Sequence, residues 1–187
     1  MATPTTLPAT FTAGQVLTAT QMNDLRGAFR IMQVVQTVKT DTFSTTSATY
    51  TDVTGMTATI TPSSTSSKCL ILVNVNVSLS NTNDRSAHFR LNGGNSGNFV
   101  GDAAGNRIRS ATSISLSNSI FYVGWSLNSY QIVYLDSPAT TSATTYALQT
   151  RTSVNDVTVY VNRNAADTDG VVSGRGASSI TVMEVSA

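Results

Sequence analysis

Every odd position from 69 to 79 carries an apolar side chain (Cys69, Ile71, Val73, Val75, Val77, Leu79), while Asn74, Asn76 and Ser78 stand between them. Side chains of a strand point alternately to opposite faces, so this run is a strand with one face in a core and the other wet or shared. Runs of the same period recur at 31–39, 56–61, 87–91, 119–125, 130–135, 144–150, 157–161 and 179–185, with a weaker one at 108–116. Composition agrees. The 187 residues include 30 Thr, 24 Ser, 14 Asn and 19 Val but one Glu and two Lys, so straight-chain helix formers are scarce and β-branched residues dominate. Turn-forming clusters at 61–64, 81–84, 92–98, 136–138 and 167–176 separate the runs. No helical spacer lies between consecutive strands, which makes the sheets antiparallel. Nine or ten such strands predict an all-β protein, a two-sheet β-sandwich of jelly-roll type.

The first 30 residues follow another pattern. Pro4 and Pro8 stand in a Thr-rich stretch without apolar period, which reads as an extended arm. Thr18 with Gln21 three residues on makes a capping box, Leu17 and Met22 stand where a hydrophobic staple sits, and Met22, Leu25 and Phe29 recur at helical spacing. A helix of about three turns is marginal alone and must dock on its own β domain or on another chain. The expected organisation is an arm and helix over 1–30 and a β-sandwich over 31–187.

A formal net charge of +1 gives no electrostatic case for a nucleic-acid groove or an anionic membrane as main partner. No run approaches the ~18 to 20 apolar residues of a membrane span, and one cysteine allows no intrachain disulfide. The N-terminus has neither the basic nor the apolar region of a secretory signal, so assembly in the cytoplasm is the expectation.

Catalytic and metal-binding patterns are thin. His88, the only histidine, alternates with Ala87 and Phe89 and falls on the polar side of a strand. Cys69 lies on an apolar face and reads as a small hydrophobe, and one Glu with nine scattered Asp offers no carboxylate pair. Asn162, Asn164, Asp167 and Asp169-Gly170 have the oxygen-rich spacing of a calcium loop without the bidentate Glu that would close it, so a plain turn is expected. The 92–98 stretch lacks the Gly-Lys-Ser/Thr ending of a phosphate loop and reads as a hairpin tip. No enzymatic activity, cofactor or metal is expected.

Binding chemistry is better represented. Arg90, Arg107, Arg109, Arg151, Arg163 and Arg175 lie in or near strands and turns. They could grip anionic sugars or phosphate, or pair with Asp84, Asp102, Asp156 and Asp167; near-equal numbers of Arg and Asp favour pairing. Tyr122, Trp125 and Tyr130 could form a sugar-stacking platform, although core packing is the expectation for Trp125. Receptor contacts would come from loops at one end of the sandwich: Asn92, Asn95 and Asn98 in one, Trp125 and Tyr130 in a second, and 167–176 as a third.

The succession Phe11-Thr12-Ala13-Gly14-Gln15-Val16-Leu17-Thr18-Ala19-Thr20-Gln21-Met22-Asn23 resembles an N-terminal segment of tail-associated proteins of tailed bacteriophages. Downstream, TITPSSTSSKCLILVNVNVS, FRLNGG, GDAAGNR, YLDSPATTSATTYALQTRT and GRGASSITVMEV are similar to a family of phage virion proteins of the tail-fibre and structural kind. The resemblance implies a non-enzymatic virion protein, a homotrimeric tail-associated fibre or adhesin with a jelly-roll head that contributes to host adsorption. The alternative is a capsid or neck decoration protein that stabilises the particle. The resemblance also implies attachment to other virion proteins through the N-terminal segment, where Phe11, Leu17, Met22, Leu25 and Phe29 are the contact candidates. A host surface glycan or protein would be the remaining partner.

Overall fold

A computed structural model describes residues 31–80, 85–95, 97–116 and 124–186, together with Ala13, Gly14, Val16, Thr18, Ala19 and Met22. Eleven strands follow in chain order: β1 (Ile31–Lys39), β2 (Phe43–Thr45), β3 (Thr51–Ile60), β4 (Lys68–Leu79), β5 (Arg85–Gly93), β6 (Asn98–Phe99), β7 (Thr112–Leu116), β8 (Asn128–Asp136), β9 (Thr144–Thr152), β10 (Val159–Val161) and β11 (Ser178–Val185). Every pairing is antiparallel. One sheet runs β1-β11-β4-β8, with β10 and β2 continuing beside the far end of β4, and the other runs β3-β9-β5-β7, with β6 beside the end of β5. Counting the eight longer strands alone, the orders are 1-8-3-6 and 2-7-4-5, the arrangement of a jelly roll. The fold is an antiparallel β-sandwich, as the alternation predicts.

The core lies between the sheets. Cys69, Ile71, Val73, Val75, Val77 and Leu79 of β4 are all buried, facing Phe89, Leu91, Tyr146, Leu148 and Met56 from the other sheet. Ser78 departs from the expected polar face of β4. It is fully buried and donates to the Arg163 carbonyl at 2.9 Å, because the chain after β10 lies over that end of the strand.

Three other differences have local causes. The strand read at 56–61 begins at Thr51. A bulge between Asp52 and Thr57, with Gly55 at φ 82°, breaks the alternation there. The short strands β2 and β6 show no readable period, having three and two residues. The run read at 119–125 falls largely outside the described residues, and Gly124-Trp125 is a turn. Ala19 and Met22 are helical, the Met22 amide donating to the Thr18 carbonyl at 3.0 Å. Phe11, Leu17, Gln21, Leu25 and Phe29, and with them most of the helix expected from the sequence, lie outside the described residues. Among those described, no helix is long and apolar enough to cross a membrane.

The outer faces of the two sheets differ. Register places Val34, Met183, Leu70 and Leu135 in one row across β1, β11, β4 and β8, and Gln36, Thr181, Leu72 and Val133 in the next. Val34, Val133 and Leu135 are each about half exposed, so this outer face is apolar at the end where β1 begins. The opposite outer face, on β3, β9 and β5, carries arginines.

Candidate functional site

Antiparallel register creates the site. On the outer face of the β3-β9-β5 sheet, Arg90 stands opposite Gln149, and His88 opposite Arg151. Tyr50 enters just before β3. Its ring lies under the Arg90 guanidinium, 4.0 Å from the ring centre, with the Arg151 guanidinium at 5.9 Å. The Tyr50 hydroxyl donates to the Arg109 carbonyl at 2.6 Å and ties the loop after β6 over the sheet. Within that loop Arg109 Nε donates to the Gly101 carbonyl at 2.7 Å, and an Arg107 side-chain N–H donates to the Ala104 carbonyl at 3.3 Å. Between loop and sheet lies a groove of about 580 Å³, lined by Tyr50, Arg90, Asn98, Asn106, Arg107, Arg109 and Arg151 among others.

Charge balance sets these arginines apart. Among the described residues, Arg85 pairs with Asp156 at 2.5 Å, while Arg163 and Arg175 both pair with Asp167, at 2.7 and 2.6 Å. None of the four groove arginines makes an ion pair among the described residues. Arg90 Nε instead donates to Gln149 Oε1 at 2.7 Å, and Gln149 Nε2 donates to Asp52 Oδ1 at 2.7 Å, so Asp52 meets the cluster only through an amide. Burial pushes the Tyr50 phenol up, with Arg90 and Arg151 opposing, and the hydroxyl stays a donor. Burial and then the Arg151 charge push His88 down, so its ring, bonded to the Ser86 hydroxyl at 2.9 Å, is neutral at neutral pH. The groove thus offers guanidinium forks and two amides. Its lining includes no His, Asp, Glu, Lys or Cys side chain. What it can do is hold an anion.

The sequence-predicted contacts divide between two places. Asn98 lines the groove and accepts from Asn92 Nδ2 at 3.0 Å; Asn95 is exposed, its backbone amide donating to Asp136 at 3.3 Å. Trp125 and Tyr130 lie elsewhere. The Ala166 amide donates to the Gly124 carbonyl at 2.8 Å, so the Trp125 turn neighbours the 167–176 loop at the Asn128 end of β8. The 92–98 hairpin sits at the Asp136 end, and nine extended residues put roughly 26 Å between the two. The candidate loops therefore do not share one end of the sandwich. Trp125 is 41% exposed, which corrects the core expectation, whereas Tyr130 packs half-buried against the core from β8. Trp125→Ala should accordingly cost about 1 kcal/mol or less in a urea melt; a loss of about 3 kcal/mol would place the ring in the core after all.

The calcium-like spacing serves another purpose. Buried Asn162 donates to the Lys39 and Asp41 carbonyls at 2.8 and 3.0 Å and accepts from Ser178 at 2.6 Å, while Asp167 is held by its two arginines. Among the described residues no three His, Cys, Asp or Glu side chains gather as a metal site would require. Cys69 is buried, and burial pushes its thiol up.

No protein-family model matches this chain, and no curated protein matches it in sequence.

Proposed function

We propose that this chain is a non-enzymatic virion structural protein of a tailed bacteriophage, a homotrimeric tail-associated fibre or adhesin that works by binding and holding. The observation that carries this reading is the groove, where four arginines with no ion pair among the described residues converge on a jelly roll whose other described arginines are matched by Asp. Such a surface fits recognition, and its lining lacks the acid–base pairs of turnover. The apolar row Val34–Met183–Leu70–Leu135 lies on the other sheet, so copies joined through it keep their grooves facing outward. The resemblance at Phe11 to Asn23 supports attachment through the N-terminal segment, with other virion proteins as partners.

Three measurements test the reading. Deleting residues 1–30 should leave a folded β domain that no longer incorporates into particles; truncated chain on particles at normal occupancy contradicts the attachment role. Light scattering should give three times 19.7 kDa in both about 50 mM and about 1 M salt, since apolar contact survives screening over a Debye length near 3 Å. A monomer at every micromolar concentration contradicts the oligomer. Immunogold label on the capsid in place of the tail would replace the adhesin with a decoration protein.

A further inference from the structure

We propose that the groove is a binding site for an acidic polysaccharide: Arg90, Arg107, Arg109 and Arg151 grip its carboxylate, sulfate or phosphate groups, and Asn98 and Asn106 hydrogen-bond its hydroxyls. The inference rests on the reading of the chain as a binding protein and names the ligand class. Guanidinium forks match planar and tetrahedral oxyanions, and those of Arg90 and Arg109 are already oriented, each Nε donating at 2.7 Å to Gln149 Oε1 and the Gly101 carbonyl respectively. Orienting donors before binding lowers the entropy lost on capture. Amides beside arginines suit a ligand that presents hydroxyls and charges together, as an acidic sugar does.

A nucleic acid fits less well. Single strands are held by aromatic rings on which bases stack, along an extended basic track. Here Arg90 covers one face of Tyr50, the groove is about 580 Å³, and other described arginines are tied to Asp156 and Asp167. Formal net charge is only +1, so attraction for polyanions must be local to the groove.

The test compares two doubly substituted proteins of equal charge. Arg90→Gln with Arg107→Gln removes two groove cations; Arg85→Gln with Arg175→Gln removes two that pair with Asp, outside the groove. Binding of the full-length protein to dextran sulfate, polygalacturonate, uncharged dextran and a single-stranded oligonucleotide is measured by calorimetry, with melting curves as a check on folding. Expected is binding of both acidic polysaccharides and not of dextran, weakened by roughly tenfold or more in the groove variant and unchanged in the control. Equal weakening in both variants would mean diffuse charge attraction and overturn the site. Tighter binding of the oligonucleotide would overturn the ligand class. Separately, the purified protein should compete with particles for adsorption: competition without any polysaccharide binding defeats the groove and spares the adhesin, while groove binding without competition does the reverse.

Discussion

Alanine at Gly93 is expected to cost about 4 kcal/mol or more and to leave little folded protein. Gly93 ends β5 opposite Tyr146 with φ at 126°, and a Cβ placed there would lie 2.1 Å from the Thr145 carbonyl oxygen. That oxygen is β9 backbone, held in register with Thr59 of β3, and cannot retreat without opening two strand pairs. The conformation is also one that L side chains rarely adopt. Gly97, four residues on, has φ at 65° but nothing within 4 Å of its would-be Cβ, so alanine there meets only the local left-handed penalty of about 1 to 2 kcal/mol. Urea melts of the two variants separate close approach from backbone preference. If Gly93→Ala melts within a few degrees of the native protein, the contact between hairpin and β9 is not as described. The same hairpin carries Asn98 into the groove, so a folded but distorted variant should also bind polyanions more weakly.

The legible parts of the fold were those set by local periodicity. Strand β4, with a core side chain at every second position, could be read directly, as could β8, β9 and β11. Sheet partners were beyond reach for a different reason. Arg90 and Gln149 meet across 59 residues, and nothing local to either names the other. The six arginines that the sequence offers for gripping or pairing are divided by the structure, with Arg90, Arg107, Arg109 and Arg151 at the groove and Arg163 and Arg175 on Asp167. The signal in the sequence that sorts them is local carboxylate supply, because Asp167 is four residues from Arg163 and eight from Arg175. Tyr50, which organises the groove, carried no such signal. Its role depends on β3 delivering it beneath Arg90 and on a loop arriving from Arg109.

The one glutamate should govern acid stability. Glu184 is fully buried in β11, and burial raises its carboxyl, yet the Ser63 hydroxyl, Gln33 side chain, Ser67 side chain and Ser63 backbone amide together pull it down to about 2 from 4.5. The contacts are short: Ser63 Oγ at 2.6 Å, the Ser63 amide at 2.7 Å and Gln33 Nε2 at 2.7 Å, all donating to the carboxylate. A carboxyl whose pKa is lower folded than unfolded contributes stability that is complete above the unfolded value, near 4.5, and is lost as pH falls through the folded value near 2. The gap between those values corresponds to roughly 3 kcal/mol. Glu184→Gln turns an acceptor into a donor facing donors, so it should cost roughly 3 kcal/mol at neutral pH. Its deficit should then shrink below pH 4.5, where Glu184 takes up a proton in the unfolded chain while the folded carboxylate, with its value near 2, is still charged. Asp41 and Asp156 are also lowered, by Lys39 and Arg85 respectively, but both are exposed, and both proteins retain them, so their shallow contribution cancels in the difference. His88, pushed down by burial, acts in a higher window, weakening the fold as pH drops below 6.5. Urea unfolding of native and variant proteins at pH of about 7, 4 and 3 would resolve the two windows. A stability difference that stays constant across that range would mean that the Glu184 carboxylate is not what the Ser63 turn and Gln33 hold in place.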